Sequence, residues 1–439
     1  MRRNFWNRST KQKLAFNRPD ALQIGAFKLT GLLKITCTVV FCFILLIQNF
    51  ALPAAVAASD NTPNASPDEN NYILDRTITW ADGTIECVQI DNEKFIHLDG
   101  VKRKLVGVVL HSGSMPYGRW GEFYLPENMA LYDKELDYLE STGVRVIHTN
   151  LMYVRCYTNC KSIENERKAY VDYLDLLYQH KMLVIPEINY KGDVGFNNLE
   201  VIKFSWTNYS GQPDSIEQWA LRWGKIVGGY SNVIGVVAEG EMDCLTETDR
   251  YPAQAVREYM TFLVNTLQVN FDGPIICKLM GTEIKEPEIK KASLSAVDFG
   301  GFDCYATTVA KMDSRLNQLH SQLTGFGYPT TGWWCLESNA GHPIDINNFK
   351  SELIETIFAH GATVVTIFAA NWVAEPTWQL FDTNGDPVPA MVQLAKDFDR
   401  LQTPVTEQPS YARFNQVLNS TTTIAQVDDR WEYISKAND

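Results

Sequence analysis

The sequence predicts an α/β fold: a closed (β/α)8 TIM barrel preceded by short β-hairpins. From residue 105 onward, eight apolar runs of strand length alternate with segments of helical period. Near-continuous apolar strands with crossover helices are typical of a closed parallel barrel. The alternative, an open doubly wound sheet, would have a Gly-rich phosphate loop after its first strand, and Gly107–Gly113 does not show that pattern.

A basic region (residues 1–34) and an apolar segment (residues 35–58) come first. Residues 1–34 contain eight Lys or Arg residues and one acid, Asp20. The apolar segment ends in an Ala-x-Ala site, with cleavage expected near Ala57 or Ala58. These features predict a signal peptide, and an uncut membrane anchor is the alternative. In either case we expect the rest of the chain to be secreted or to lie on the extracellular face of the membrane.

Residues 59–75 are polar and rich in Pro and Asn, which is typical of a linker. Short hairpins are predicted next, with turns at Asp82-Gly83 and Asp99-Gly100. We assign residues 76–404 to the barrel domain and residues 405–439 to a C-terminal tail.

Eight barrel strands are predicted from the apolar runs. They are Leu105–His111, Val144–Asn150, Met182–Asn189, Val233–Glu239, Pro274–Leu279, Val297–Tyr305, Gly332–Glu337 and Ala362–Ala370. The segments between them repeat apolar residues at helical spacing, as do Tyr132, Leu136 and Leu139, or Phe349, Leu353 and Ile357. His360-Gly361 supplies a helix stop before the eighth strand.

Charge and ligand spacing exclude several partners. The chain has a formal net charge of −13, and the part after the basic region is about 20 units negative. An acidic surface has no electrostatic footprint for nucleic acid, so none is expected as a partner. The sequence shows no Cys or His spacing typical of zinc ligands. We therefore predict no metal and no organic cofactor, and a membrane contact only through residues 35–58 if they are not cleaved.

Two glutamates close strand-like runs. Glu241 follows the run that begins at Val233, and Glu337 ends the run that begins at Gly332. Desolvating a carboxylate at a strand end is costly, so such a residue usually has a partner or a chemical role. The carboxyl ends of all barrel strands meet at one mouth, and two carboxyl groups ~5–5.5 Å apart are the acid and nucleophile of a retaining glycosidase. The pair therefore predicts cleavage of a glycosidic bond.

Several segments resemble the retaining glycoside hydrolases of clan A, which include cellulases, mannanases, β-galactosidases and β-1,3-glucanosyltransferases. Trp219–Gly235 resembles their passage from the third helix to the fourth strand, and Phe95–Gly100 resembles the hairpin before their first strand. Asp298–Tyr305 is similar to their sixth strand, and Trp378–Ala390 to the segment after their eighth. The resemblance covers roughly residues 90–400.

The resemblance implies roles for four residues. Glu241 would be the acid/base at strand 4, and Glu337 the nucleophile at strand 7. Tyr305 would donate a hydrogen bond to the nucleophile, and Trp372, just past strand 8, would form the floor of the subsite where the bond breaks. The implied reaction is hydrolysis of a β-linked poly- or oligosaccharide through a glycosyl-enzyme intermediate, or transfer to an acceptor sugar.

Two positions depart from the pattern of the clan. Gly240 stands where the clan has an Asn that contacts the sugar 2-hydroxyl, and His148 stands where the clan usually has an Arg. Asn150 and Asn189 are the predicted replacements for the missing Asn. The departures also motivate a second hypothesis, a non-catalytic barrel that binds carbohydrate at the cell surface.

Further substrate contacts are predicted at His111, His148, Glu239 and Trp334. The two histidines stand near the ends of strands 1 and 2, where an imidazole can donate to a sugar hydroxyl. Glu239 shares a strand face with Glu241, so either residue can project inward. Trp334 has a flat ring of the kind that stacks on sugars. A purely structural role is the alternative for each of these residues.

Overall fold

The computed structural model describes residues 72–110, 126–150, 163–188, 206–207, 213–214, 216–244, 252–282, 286–341, 345–370 and 376–405. The predicted basic region, the apolar segment, most of the linker and nearly all of the tail lie outside these ranges. Within them, no helix has both the length and the apolar character needed to cross a membrane.

Four antiparallel strands come first and pair in sequence order. They are β1 (Tyr72–Thr79), β2 (Ile85–Asp91), β3 (Ile96–Leu98) and β4 (Val101–Arg103). Both predicted turns are present, with Gly83 at a φ of 83° and Gly100 at 78°, values that glycine adopts without strain. β1 begins at Tyr72, inside the predicted linker, so the last residues assigned to the linker belong to this sheet.

Eight parallel strands close into a barrel, which confirms the predicted fold class. They are β5 (Leu105–Val109), β6 (Val146–Asn150), β7 (Leu183–Glu187), β10 (Val236–Gly240), β11 (Ile275–Met280), β12 (Phe299–Tyr305), β13 (Trp333–Asn339) and β14 (Ala362–Ile367). β14 pairs with β5 and completes the ring. Two short strands, β8 (Trp206–Thr207) and β9 (Pro213–Asp214), pair with each other outside the barrel. Each barrel strand overlaps its predicted run.

Helices alternate with the barrel strands. They are α1 (Pro126–Ser141), α2 (Ile163–Gln179), α3 (Ile216–Val227), α4 (Ala253–Leu267), α5 (Pro287–Leu294), α6 (Val309–Phe326), α7 (Ser351–Ala359), α8 (Pro389–Ala395) and α9 (Phe398–Leu401). The predicted apolar stripe of α1 is fully buried. α7 starts at Ser351, so Phe349 lies before the helix rather than in it. Gly361, at a φ of 91°, follows the end of α7 as predicted.

Two large apolar cores are present in the described residues, besides a small cluster of Val109, Phe368 and Ala369. One lies between strands and helices and contains residues such as Val236 and Ala238, which point away from the barrel axis. The other fills the N-terminal half of the barrel interior and continues into the antiparallel sheet, where it includes Ile78 and Ile96. The sheet therefore seals the N-terminal end of the barrel with apolar side chains. We call this the closed end, and the opposite end the mouth.

The last described residues return to the closed end. Pro404 forms an isolated antiparallel bridge with Arg103, directly before the first barrel strand. The Val405 N–H donates to the Lys102 carbonyl at 2.9 Å. Residues 404 and 405 therefore lie beside the start of the first barrel strand.

Candidate active site

A cluster of polar side chains occupies the barrel interior near the mouth. Its members are His148 from β6, Glu187 from β7, Glu241 after β10, Lys278 from β11, Asp303 and Tyr305 from β12, and Glu337 from β13. All of them except Glu241 are at most 8% exposed. Charged groups so deeply buried need partners, and most of these side chains provide one another with them.

Glu337 is the centre of the cluster. The Tyr305 hydroxyl donates to Glu337 Oε2 at 2.6 Å, which is the contact that the resemblance implies. The Lys278 ammonium forms an ion pair with Glu337 Oε1. Burial raises the pKa of Glu337, and Lys278 lowers it. The nearby carboxylates of Glu241 and Glu187 raise it as well, so the net shift of the pKa is upward. The phenol and the ammonium together fix the orientation of the carboxylate.

Glu241 follows β10 directly and lies next to Glu337. Its φ of 49° is left-handed, which is uncommon for a residue other than glycine. Its N–H donates to the Lys278 carbonyl at 2.6 Å, which ties the turn to β11. One oxygen each of Glu241, Asp303 and Glu337 lie within 4.8 Å of one another. The two predicted catalytic carboxylates are therefore neighbours.

Gly240 leaves space that the carboxylate of Glu187 fills. A Cβ on Gly240 would lie 2.0 Å from Glu187 Oε1. The same carboxylate contacts His148 Nε2 at 2.9 Å and Lys278 Nζ at 2.8 Å through Oε2. Burial acts to raise the pKa of Glu187, but Lys278 and His148 outweigh it and lower the pKa to about 2. Glu187 is therefore an anion that occupies the place beside Gly240.

The two departures from the clan pattern are thus physically connected. His148 contacts Glu187 and, through Nδ1, the Ile185 carbonyl at 2.8 Å. Both partners are acceptors, which suits a ring that donates from both nitrogens. The cation that contacts Glu337 is Lys278, which belongs to β11 rather than to β6, the strand of His148. Burial lowers the pKa of Lys278, but the carboxylates of Glu187 and Glu337 more than reverse this and hold it well above its usual value.

Asp303 is the least satisfied member of the cluster. It is fully buried, and neither carboxyl oxygen has a hydrogen-bond partner. Burial raises the pKa of Asp303 well above its ordinary value, and the neighbouring Glu337 adds to the increase. Neither Asp303 nor Lys278 was among the predicted site residues. A charged residue inside an apolar strand run was the available signal for both.

Glu239 lies outside the cluster because β10 is irregular. The pairing of β10 with β11 shifts register between Val237 and Glu239. The carboxylate of Glu239 instead accepts a hydrogen bond from the Tyr259 hydroxyl of α4 at 3.0 Å and is fully buried there. The structure therefore corrects the predicted substrate contact at Glu239 to a structural contact with the helix layer.

Trp334 and His148 also need correction. Trp334 is fully buried in the apolar core of the closed end. Its ring packs edge-to-face on Phe299 at 4.9 Å, and its indole N–H donates to the Lys94 carbonyl at 3.0 Å. It is therefore a packing residue rather than a sugar contact. His148 uses both ring nitrogens on protein oxygens, so it positions Glu187 rather than a sugar hydroxyl.

Four other predicted contacts stay predictions. His111, Asn189 and Trp372 lie outside the described residues. Asn150 ends β6, where its backbone pairs with Glu187, but the description does not extend to its side chain.

Aromatic rings line one side of the mouth. Phe368, which follows β14, has its ring centroid 6.5 Å from that of Tyr305 and 5.8 Å from that of Trp378. Trp378 also packs against Val109, at the end of β5, and is partly exposed. A partly exposed indole at the mouth is a surface on which a sugar ring can stack. Trp378 was identified from the sequence only as part of a longer similar segment.

Two further cavities lie in the helix layer, away from the cluster. One, of about 350 Å³, is lined by residues of α2 and α3 that include Trp219 and Trp223. The other, of about 1300 Å³, is lined by residues of α3, α4 and α5. Neither cavity contains a residue of the cluster. The convergence of charged side chains, rather than the size of a cavity, therefore identifies the candidate active site.

Two sets of side chains in the described structure have the spacing of cation ligands. They are His148, Glu187 and Glu337, and Glu241, Asp303 and Glu337. In the first set, the Lys278 ammonium already contacts both carboxylates, so the protein supplies its own cation. The second set contains the unpartnered Asp303.

Solved structures share the barrel fold at low sequence identity. No protein-family model and no curated protein matches the sequence. A GH5_18 protein from Streptomyces cattleya in complex with GlcNAc has a TM-score of 0.53 and 12% identity, with 70% of this chain and 83% of that chain covered. A GH5_18 variant from Bifidobacterium longum subsp. longum in complex with Manβ1-4GlcNAc has a TM-score of 0.52 and 11% identity, with 70% and 80% covered.

A third structure is an exo-β-1,4-mannosidase from Opitutaceae bacterium strain TAV5, with a TM-score of 0.49 and 12% identity. The match covers 72% of this chain and 63% of that enzyme. At these identities the comparisons with the Streptomyces and Bifidobacterium structures show a shared fold.

Proposed function

We propose that this protein is a retaining β-glycoside hydrolase with Glu241 as acid/base and Glu337 as nucleophile. The observation that carries the proposal is the placement of Glu337, which is held by Lys278 and Tyr305 and has an oxygen within 4.8 Å of an oxygen of Glu241. Retaining enzymes place these carboxyl groups ~5–5.5 Å apart, whereas inverting enzymes leave ~6.5–9.5 Å for a water molecule. The short separation supports the retaining mechanism.

Each carboxyl group has one task in each step. First, a Glu337 oxygen attacks the anomeric carbon, the bond from that carbon to the leaving oxygen breaks, and Glu241 gives its proton to that oxygen. Then Glu241 takes a proton from water, the water oxygen attacks the same carbon, and Glu337 leaves as a carboxylate. Lys278 and Tyr305 orient the Glu337 carboxylate before each attack. An acceptor sugar in place of water would give transglycosylation.

A non-catalytic carbohydrate-binding barrel is the second candidate. The ion pair between Lys278 and Glu337 favours it, because an ammonium against the attacking oxygen stabilises the anion and reduces its tendency to attack. The two candidates differ in what Glu337→Gln does. A hydrolase loses turnover in this variant, whereas a binding protein keeps its affinity.

The first substrate to test is Manβ1-4GlcNAc, because the structures with the same fold contain this disaccharide or GlcNAc. Sugar release by the purified protein would be measured on it and on β-linked mannans, glucans and galactans. Glu337→Gln would be tested beside Glu239→Gln, a matched control whose side chain lies against α4. We expect release by the wild type and by Glu239→Gln, and none by Glu337→Gln.

The anomeric form of the first product tests the mechanism. NMR spectroscopy during early turnover should show the β-anomer, because two displacements at one carbon retain configuration. Early formation of the α-anomer would contradict the proposed roles. Binding without release on every substrate, with the affinity unchanged in Glu337→Gln, would favour the binding barrel.

We also propose that the protein acts outside the cell. The basic residues 1–34 and the apolar segment 35–58 support export. N-terminal sequencing of the protein made in its native host tests this directly. A chain that starts near residue 58 in the medium indicates cleavage, and a full-length chain in the membrane fraction indicates an anchor.

A further inference from the structure

Asp303 is a buried carboxyl group without a counter-ion of its own. Lys278 already contacts Glu187 and Glu337, and His148 contacts Glu187. Both oxygens of Asp303 lack a hydrogen-bond partner, and the residue has no exposed surface. Burying an unpaired carboxylate costs several kcal/mol even after relaxation, so such a group is driven to take up a proton.

In the described structure, four titratable groups from other strands surround Asp303. Glu187 belongs to β7, Glu241 follows β10, Lys278 belongs to β11 and Glu337 to β13, and all four act on Asp303 electrostatically. Tyr305 lies two residues further along the same strand and donates to Glu337. Two anionic carboxylates, Glu187 and Glu337, already share the Lys278 ammonium, which disfavours a further negative charge on Asp303.

The same geometry offers acceptors to a protonated Asp303. Glu337 is its neighbour in the register between β12 and β13. One oxygen each of Asp303, Glu241 and Glu337 lie within 4.8 Å of one another. A small rotation of side chains in such a triangle brings a carboxyl O–H within hydrogen-bond distance of either glutamate.

We propose that Asp303 is a positioning residue that works in its neutral form and donates a hydrogen bond to whichever of Glu337 and Glu241 is negatively charged. This inference rests on the proposed function. In the resting enzyme the anion is Glu337, and Glu241 holds the proton of the acid. In the glycosyl-enzyme Glu337 is an ester, and Glu241 is the anion. The proton stays on Asp303 throughout, and only the direction of its hydrogen bond changes.

In the second half of the reaction, this role of Asp303 complements that of Lys278. The Lys278 ammonium contacts Glu187 and Glu337, so its hydrogen bonds serve the resting enzyme. Once the negative charge has moved to Glu241, a donor that lies close to both carboxyl groups is needed. A hydrogen bond to a charged group is among the stronger ones in proteins. Asp303 therefore stabilises the second half of the reaction as well as the first.

The first test measures the protonation of Asp303 without any substrate. Infrared difference spectra at pH 7 would compare the wild type with Asp303→Asn, and separately with Asp298→Asn. Asp298 is an exposed control at the other end of the same strand, where its carboxylate accepts from the Ile275 N–H at 2.7 Å. We expect Asp303→Asn to lose a protonated-carboxyl band and Asp298→Asn to lose carboxylate bands.

Carboxylate bands lost in Asp303→Asn would overturn the proposal. Loss of the protonated band when Ca²⁺ or Mg²⁺ is added to the wild type would also overturn it, because a cation would then neutralise the cluster. This experiment gives an answer even if the protein hydrolyses none of the sugars tested. A failure of this inference is therefore distinguishable from a failure of the proposed function.

The second test is the pH profile of kcat/KM on the best substrate found. Asn has the shape of a neutral Asp and donates from its amide, so Asp303→Asn should stay within about threefold of the wild type and keep both limbs of the profile. Asp303→Ala removes the donor and should lose about 10- to 100-fold. Melting temperatures establish that both variants are folded.

An acid shift of both limbs in Asp303→Asn would overturn the proposal, because it would mean that a negative neighbour had been removed. Equal activities of Asp303→Ala and the wild type would overturn it as well. If Asp303→Ala does not fold, Asp303→Asn and the infrared spectra decide the question alone.

Discussion

The two ends of the barrel interior are filled by side chains of opposite character, apolar at one end and charged at the other. The closed end is filled by apolar side chains from the strands and the antiparallel sheet, such as Trp334 and Ile78. The mouth is filled by charged groups that pair with one another, such as Lys278 and Glu337. β13 contributes Trp334 to one end and Glu337 to the other. Within a few residues, the same strand therefore changes from apolar packing to ion pairing.

The comparison teaches that stability has a different physical origin at each end. Apolar burial involves no proton, so its contribution at the closed end should not change between pH 5 and 8. The ion pairs at the mouth exist in one protonation state only, so their contribution depends on pH. Variants at the two ends can therefore be distinguished by how their effects respond to pH.

The largest effect is expected at the mouth, from Lys278→Met. The variant leaves the carboxylates of Glu187 and Glu337 buried without their shared cation, which should cost about 3–5 kcal/mol of unfolding free energy at pH 7. The cost should shrink at lower pH, because a protonated carboxyl group needs no counter-ion. Urea unfolding at pH 5 and pH 8 measures it. Lys311→Met, at an exposed site on α6, is the control. An equal loss of unfolding free energy in Lys278→Met at both pH values would contradict the explanation.

Glu187→Gln should show a pH dependence of the same sign, in a lower pH range. The pKa of Glu187 is lowered from 4.5 to about 2, so the stability that its charge provides is complete above the unfolded value and is lost as pH falls toward 2. A difference of this size corresponds to about 3 kcal/mol. The difference in unfolding free energy between wild type and variant should therefore shrink as pH falls from 6 to 3. A constant difference over this range would show that Glu187 is not ion-paired.

Gly240→Ala tests how tightly the mouth is packed. The new Cβ would lie 2.0 Å from Glu187 Oε1, so the carboxylate must move, at a cost of about 1–3 kcal/mol. The control is Gly325→Ala on α6, where no atom lies within 4 Å of the new Cβ; this change should stabilise the protein by about 0.4–1 kcal/mol. Combining Gly240→Ala with Glu187→Ala should remove most of the penalty. A full penalty in the double variant would locate the clash elsewhere.

The smallest effect is expected at the closed end, from Ile78→Val. Ile78 is fully buried in the core that joins the antiparallel sheet to the barrel. Removing one methylene group there should cost about 0.5–1.5 kcal/mol. Urea unfolding should give the same value at pH 5 and pH 8. A pH-dependent cost would mean that the two ends of the barrel are coupled.

The sequence was sufficient for the fold and for the placement of Glu241, Glu337 and Tyr305 beside one another. Strand-length apolar runs and helical spacing predicted all eight barrel strands, because burial on both faces leaves a long apolar signature. The positions of Glu241 and Glu337 just after or within such runs placed both at the mouth. Tyr305 lies against Glu337, where the resemblance implies it should be.

The errors have specific physical causes. Glu239 was expected beside Glu241 because a regular strand alternates its faces, but a register shift in β10 turns Glu239 to the helices. Trp334 was expected as a sugar contact because of its ring type, but it is the second residue of β13 and therefore lies toward the closed end. Lys278 and Asp303 were not predicted because their roles depend on residues that other strands bring next to them. Pairing across a barrel is not visible in a single sequence.

The bridge between Pro404 and Arg103 has a practical consequence. It places residues 404 and 405 beside the closed end, on the side away from Glu337. A solid support or a fused partner attached after residue 405 would therefore face the sealed bottom, and the mouth would point toward the solution. In this orientation the mouth would stay accessible to molecules in solution.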